Sequence, residues 1–474
     1  MSAVVYLHPE PRPDRAGATY PVLPVGAVAH MNALVAAGVS VRGLNLPVER
    51  VLDPAFSLEG WMAAGSEPAL VFLDLHWYEH AAGVVDTAAR VRRGWPGARI
   101  VVGGLTATRF AEELLALCPA VDAVVAGDAE AAVLALARGE EAPNLVSRGP
   151  DGRPVRSGAS ATTPQATLDA MDSVSLGWLA HADAYRRMVH SRPARLGPSI
   201  DARGQWLING RGCAFECLYC GGARSSHQAL SGLSRVLKRD PATLARDVAR
   251  LQALGVQQVA LTLDPDMLGR RHQDAFFEAL TAQSTRPGLY VESFQLPSVR
   301  LLDHLARRAD PEHSELAITP LSGDETVRWR NGKRYDNAAL LERLDALAAR
   351  DLSVFVFFSL NLPGEDAHTL EATVALAERI LDRLPPDRVR VMNICHTLDP
   401  ASPLLRDPDG HGVTEVRLRT LADYVAYGQA PRPFTFEEGE RGFVVPGRDL
   451  RGMVQRWDEW CLGRGGGAIP VPRV

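Results

Sequence analysis

Cysteine is scarce, with six residues in a chain of 474. That is too few for a disulfide framework, and Cys118, Cys395 and Cys461 are scattered, so a reducing, cytoplasmic setting is expected. Long apolar runs are missing as well. No stretch approaches the roughly 20 uninterrupted apolar residues of a membrane span, so no membrane partner is expected. Basic excess is absent: the net charge is −5, which argues against a general nucleic-acid binder. The opening MSAVVYLHPEPRPDR lacks a basic segment leading into an apolar core, so no secretion signal is expected. No internal repeat is visible.

What is present is alternation. Residues 1–145 read as strands and helices in turn, with apolar runs at 3–7, 41–47, 69–77, 98–104 and 120–130. Glycines stand at the strand ends, the pattern of a doubly wound, Rossmann-like parallel sheet. Ligands of such sheets sit beyond the carboxyl ends of the strands, here near Asp74–His76, Gly103–Gly104 and Gly127–Asp128. Residues 146–200 are rich in Gly, Ser, Pro and charge and read as a linker. From 201 to 404 a second alternation gives about six βα units, as in a partial (β/α)6 barrel with its active site at the carboxyl ends of the strands. Residues 405–474 form a short C-terminal region of weaker patterning, which either packs over the barrel or stays mobile.

The other three cysteines lie together in GCAFECLYCGG, residues 212–222, at spacing C-x3-C-x2-C. Thiolates are soft ligands for iron–sulfur clusters, zinc or copper. Structural zinc normally takes four ligands. A fourth local thiolate is missing, although His227 lies seven residues beyond Cys220 and leaves a Cys3His site open. A redox dithiol would need only two.

A C-x3-C-x2-C run just after a strand of a βα barrel, with an aromatic (Tyr219) before the third cysteine, resembles the radical S-adenosylmethionine (SAM) superfamily. The resemblance implies that Cys213, Cys217 and Cys220 hold three irons of a [4Fe–4S] cluster. The fourth iron is then left to SAM, whose reductive cleavage gives a 5′-deoxyadenosyl radical. An electron donor of the flavodoxin or ferredoxin type is implied with it. Carried over residue by residue, the resemblance places Tyr219, Gly222, Asp266, Ser322, Arg328, Lys333 and Pro363 at the SAM site. Arg328 and Lys333 lie in SGDETVRWRNGKRY, which is similar to a segment of the subgroup that has a cobalamin-type N-terminal domain. Ordinary helix-surface charge is the competing reading for both. Residues 1–145 in turn resemble that cobalamin-binding domain, with Gly103, Gly104, Thr106, Thr108 and Gly127 matching its glycine-rich turns. DLHWYE lacks the final glycine of the D-x-H-x-x-G signature, and some members keep this fold without cobalamin. Cobalamin is therefore left open, beside a purely structural role for the domain.

Within this class the short C-terminal region and the acidic strand ends resemble a radical SAM diol-dehydratase that deoxygenates the amino sugar paromamine in apramycin biosynthesis. The reaction expected from it is dehydration of a cationic amino-sugar-like substrate in antibiotic biosynthesis. A separate NAD(P)H reductase would act on the product. Loss of hydroxide needs an acid and a base, so Glu216, Asp264 and Glu292 are the catalytic candidates, within a wider acidic set that includes Glu315 and Glu365. Glu216 ranks first because it lies between the cysteines; an exposed charge or local cap is its plain alternative. The competing reaction is cobalamin-dependent C-methylation. From another class, a non-catalytic cobalamin- or cluster-binding regulator remains open.

Overall fold

The apolar runs of the first 130 residues become the strands of a single sheet. In the computed structural model, residues 3–12, 20–196, 201–431 and 433–473 are described, and they fall into two units. The first comprises Met1–Val189, His227–Ser234 and Arg419–Pro431; the second comprises His190–Ser226, Arg235–Leu418 and Arg432–Val474.

In the first unit β1 (Val4–His8), β2 (Val41–Asn45), β3 (Leu70–Asp74), β4 (Arg99–Gly103) and β5 (Ala123–Val125) run parallel in the order β2-β1-β3-β4-β5. Every residue of β1 and β3 is buried, as expected of a parallel sheet covered on both faces. The chain reverses direction of travel between β1 and β3, and ligand crevices form at such switch points.

The stretch expected as a linker is largely structured. β6 (Leu145–Arg148) and β7 (Pro154–Ser157) extend the sheet antiparallel beyond β5. Gly149-Pro150-Asp151-Gly152 turns between them, closed by the Gly149 amide on the Arg153 carbonyl at 2.8 Å. Further on, Trp178 is buried edge-on against Tyr6, with ring centroids 5.5 Å apart. Polar edge strands bury too little to leave an apolar pattern, but the P-D-G turn is a signal that reveals the hairpin. Part of the C-terminal region, the helix Leu421–Gln429, also belongs to this unit.

In the second unit β8 (Gly204–Leu207) is followed by a ribbon of β9 (Gly210–Arg211) with β10 (Leu237–Lys238). Then come β11 (Gln258–Leu261), β12 (Gly288–Ser293), β13 (Glu315–Leu321), β14 (Val354–Leu360) and β15 (Val389–Cys395). With β8 these are the six expected βα strands. The C-terminal region adds a small ribbon, β16 (Glu415–Val416) with β17 (Phe443–Val444), and a seventh parallel strand, β18 (Ala468–Ile469). The order β18-β15-β14-β13-β12-β11-β8 leaves β8 and β18 as edges of an open barrel. Trp457 on the helix Leu450–Arg464 is fully buried, and its indole N–H donates to the Ile469 carbonyl at 3.1 Å. That packing fixes the strand the sequence left undecided.

Along β15 buried and half-buried residues alternate strictly. The buried face (Val389, Val391, Cys395) lies under helices, and the half-buried face (Arg390, Met392, Ile394) lines the lumen. The same alternation opens β14.

Candidate active site

The cysteine loop begins at Gly212, whose φ of +89° lets the chain turn sharply out of the β9 ribbon. Backbone amides already point at two of the sulfurs: Phe215 N–H lies 3.4 Å from Cys213 Sγ, and Gly222 N–H lies 3.4 Å from Cys220 Sγ. Burial, with the neighbouring Cys217, raises the pKa of Cys213, and burial with Cys217 and Asp399 pushes Cys220 up to about 12. Among the described residues no three His, Cys, Asp or Glu side chains converge on one ion. A mononuclear centre requires such convergence; a cluster that offers one iron to each thiolate does not. Three thiols on one loop, two of them with amides directed at their sulfurs, fit an iron–sulfur cluster, and Cys213, Cys217 and Cys220 would hold it.

Glycines seat this loop against the barrel. A Cβ on Gly221 would stand 1.9 Å from Asp399 Oδ1, so that carboxyl occupies the glycine's empty space. Asp399 itself was missed from the sequence; burial raises its pKa to about 6. Gly332, of the N-G-K segment, has φ +99° and backs directly onto Cys217. The Tyr219 ring lies 4.8 Å from that of His396, which reaches Ser359 Oγ through Nε2 at 2.9 Å. The loop is thereby tied to the ends of β14 and β15.

Lys333 is the charge at the centre of the strand ends. It is 3% exposed and donates to the Phe294 carbonyl at 2.7 Å. Its charge is felt by Cys213, Asp264, Glu292 and His396. Asp264 is buried and accepts the amides of Phe294 (2.8 Å) and Asp266 (2.9 Å); burial nevertheless raises its pKa to about 6. Glu292, at the end of β12, accepts from Tyr290 O–H at 3.1 Å, and burial raises it too. Cys213, Asp264, Glu292, Lys333 and His396 thus share one end of the barrel.

Other candidates are placed elsewhere. Glu216 is turned to the surface. It accepts the Ser225 amide at 3.0 Å and the Ser225 hydroxyl, and lies 3.6 Å from Arg406. It caps the start of the helix Arg224–Ser231, where a carboxylate is favourable against the helix dipole, and leaves the barrel end without it. Arg328 is fully buried, but its guanidinium is used by the carbonyls of Pro320, Ser322 and Tyr335 and by Asn337. It holds residues 320–337 together, with all three of its nitrogens engaged within that segment. Ser322 pairs with Thr373 and receives the Asp324 amide; Asp266 receives Ser298 and Gln273; Pro363 O accepts from Asn331. These residues shape turns. Glu315 lies at the opposite end of the strands, paired with Arg390 at 2.5 Å.

Glu365 accepts the Leu362 amide at 2.8 Å in the N-L-P-G-E turn, and burial raises its pKa to about 8. Folding therefore prefers the neutral acid. The stability this gives is complete below the unfolded value near 4.5 and is lost as pH rises through about 8. Glu365→Gln should flatten the decline in Tm between those limits and raise Tm at pH 8 by roughly several degrees. Thermal unfolding at intervals across that range measures it, and a slope matching the parent's would refute the assignment.

In the first unit the strand ends carry a buried network that the sequence only partly disclosed. Asp74, at the end of β3, accepts from Tyr6 O–H at 2.6 Å and from His8 Nδ1 at 2.9 Å. The His8 and His80 rings are 4.8 Å apart. His80 is fully buried, and neither ring nitrogen has a hydrogen-bond partner among the described residues; burial lowers its pKa to about 3. His8 was missed because the first apolar run was taken to stop at Leu7. Beside this network Gly104 has φ +118°, and a Cβ there would meet His76 N and Leu75 C at 2.6 Å. At Gly103 a Cβ would meet nothing within 4 Å. Thr106 Oγ1 donates to the His76 carbonyl at 3.0 Å, and the Gly127 amide donates to Thr108 Oγ1 at 3.0 Å. Bare backbone facing open space at Gly103, on the carboxyl edge of the parallel sheet, fits a large cofactor's tail.

Against known families, the radical SAM superfamily model matches residues 207–377 and the B12 binding domain model matches residues 12–137. A search of curated proteins finds no match. Among solved structures, the radical S-adenosylmethionine methyltransferase TsrM from Kitasatospora setae, with cobalamin and [4Fe-4S] cluster bound, superposes with a TM-score of 0.70 at 17% identity. That similarity covers 99% of this chain and 93% of TsrM. The cobalamin-dependent S-adenosylmethionine radical enzyme OxsB, with aqua-cobalamin bound, gives 0.63 at 11% identity, covering 98% of this chain and 67% of OxsB. No described helix is long and apolar enough to cross a membrane.

Proposed function

Since the chain joins a B12-binding domain to the barrel of a radical SAM enzyme, with a [4Fe–4S] cluster and SAM as the implied cofactors, we propose that it is a cobalamin-dependent methyltransferase acting on carbon in a small molecule. The observation that carries this reading is the open backbone at Gly103, on the ligand edge of the B12-binding sheet, with Gly104 packed tightly behind it on residues 75–76. The similarity to TsrM over nearly its full length supports it, because a short C-terminal region no longer speaks against methylation. The cluster would supply the electron that cleaves SAM, and cobalamin, where bound, would carry the methyl group. The protein's own part is positioning. Lys333 sets a positive charge beside Cys213 and can receive a carboxylate. Tyr219 packs the cluster loop on His396. A flavodoxin- or ferredoxin-type protein would donate the electron.

Asp264 favours a second reading. A buried carboxyl titrating at about 6 can both give and take a proton near neutrality, which dehydration of a diol requires. Glu292 would be its partner. An amino-sugar substrate and a separate NAD(P)H reductase belong to this reading.

The two are separated by anaerobic purification with added hydroxocobalamin, followed by an absorption spectrum and mass spectrometry of products. Methyl transfer predicts stoichiometric corrinoid and products heavier by a methyl group. Dehydration predicts no corrinoid and products lighter by water. SAM cleavage to 5′-deoxyadenosine under dithionite would exclude a purely regulatory role.

A further inference from the structure

The lumen of the second unit's barrel is lined by rings, and its wall alternates large and small residues. In the strand register Trp206 on β8 stands beside Ala260 on β11, and Ala260 beside Tyr290 on β12. Further round, Ala317 on β13 stands beside Phe355 on β14, and Phe357 beside Met392 on β15. The Trp206 and Tyr290 rings meet edge-on at 5.7 Å, and the Phe355 and Phe357 centroids are 3.9 Å apart. Trp206 and Phe357 pack against the Ala260–Tyr290–Ala317 cluster yet keep part of their surface exposed.

That exposure is informative. Large apolar side chains pointing inside a barrel are normally consumed by its core. Here Trp206, Phe355, Phe357 and Met392 are all half-buried, while the opposite faces of β14 and β15 are fully covered. The lumen wall therefore keeps part of its ring surface uncovered at Trp206, Phe355, Phe357 and Met392, above the buried Ala260 and Ala317. Its floor is closed by the Arg390–Glu315 pair, with the guanidinium 4.1 Å from the Phe355 ring. Arg390 is spent there on Glu315 and the Ser191 carbonyl. Of the two carboxyls at the upper end, Asp264 accepts the Phe294 and Asp266 amides, and Glu292 follows Tyr290 on the same face of β12. Tyr290 binds its Oε1, and Oε2 has no hydrogen bond among the described residues.

We infer that this lumen binds a substrate with a flat apolar ring, which slots between the Trp206–Tyr290 and Phe355–Phe357 pairs and presents an N–H or ammonium group to Glu292. Ring faces and edges reward a planar partner and offer a cation its π surface. A polyhydroxylated amino sugar would leave most of its hydroxyls without partners on this wall, at a desolvation cost no cavity of this composition returns. The wall favours a flat ring over the amino sugar expected from the sequence. The inference rests on the barrel being the reacting site, but not on which reaction occurs there.

Ligand-observed NMR titrations of the full chain, anaerobically reconstituted with its cluster, test it with three probes. These are 2-phenylethylamine (ring and ammonium), benzyl alcohol (ring alone) and glucosamine (ammonium without a flat ring). Both ring probes should bind, and glucosamine should not. Phe357→Ala should weaken both ring probes by about tenfold, the value of one lost ring contact with its buried area. Phe357→Tyr should restore them. Glu292→Gln should weaken 2-phenylethylamine and leave benzyl alcohol as it was. Glucosamine binding without the ring probes would overturn the inference, as would ring-probe affinities unmoved by Phe357→Ala in a variant whose circular dichroism matches the parent. Binding is read without turnover, so absence of methyl transfer would sink the proposed reaction and leave this result standing.

Discussion

Cys217→Ala, purified and reconstituted anaerobically beside the parent, should come back without its iron–sulfur absorption and should release 5′-deoxyadenosine only at background. The expectation follows from stoichiometry. Each of the three thiolates would hold one iron, and the loop contains no fourth sulfur to replace a lost one. The other thiol on the barrel strands, Cys395, lies on the covered face of β15, and burial drives its pKa to about 12. It is a packing residue, and Cys395→Ala should keep its iron. The same contrast holds for Cys118, buried in the first unit. Cys213→Ala and Cys220→Ala should behave as Cys217→Ala does. Iron and sulfide analysis decides the matter. Parental iron in the Cys217 variant would remove the loop as the cluster's ligand set, and zinc in place of iron would revive the Cys3His alternative.

The cysteine loop was legible because a ligand spacing survives without any knowledge of tertiary structure. So were eleven of the barrel and sheet strands, because burial writes apolar runs. The hairpin at 145–157 and the strand at 468–469 were not. They are short additions at the ends of the two sheets, with too few buried residues to leave such a run. The site's charges divided along a different line. Asp264, Glu292 and Lys333 could be named because each ends a strand or follows a motif. Which of the charged residues actually face the barrel end could not be named, since orientation depends on partners distant in sequence. Glu216 lies between two cysteines, yet Ser225 and Arg406 draw it outward. Arg328 lies five residues from Lys333, yet carbonyls on its own segment absorb it. His8 and Asp399 act through contacts 66 and more residues away and carried no local signal at all.

Gly332 shows what such a long-range contact predicts. It belongs to a stretch read for its charges, but its strongest constraint is the absence of a side chain. A Cβ at this position would lie 2.9 Å from Cys217 Cα, 3.1 Å from the Glu216 carbonyl and 3.3 Å from Cys217 Sγ. The first two are backbone atoms, so no rotamer change relieves the contact. The φ of +99° adds backbone strain of about 1–3 kcal/mol for a β-branched residue. Around it, Gln295 donates to the Gly332 carbonyl at 2.9 Å and Asn331 is held by Val327 and Pro363, so the segment cannot simply back away. Relief must come from the cysteine loop. Gly332→Val should therefore keep a folded barrel but lose most of its iron and its SAM binding, with Gly332→Ala intermediate. Gly255→Ala separates the causes, because Gly255 has φ +77° in the same unit and open space where its Cβ would go. It carries the strain without the collision and should load iron as the parent does. If Gly332→Val holds its cluster no worse than Gly255→Ala, the contact with Cys217 does not position the loop, and the N-G-K glycine serves only its own turn.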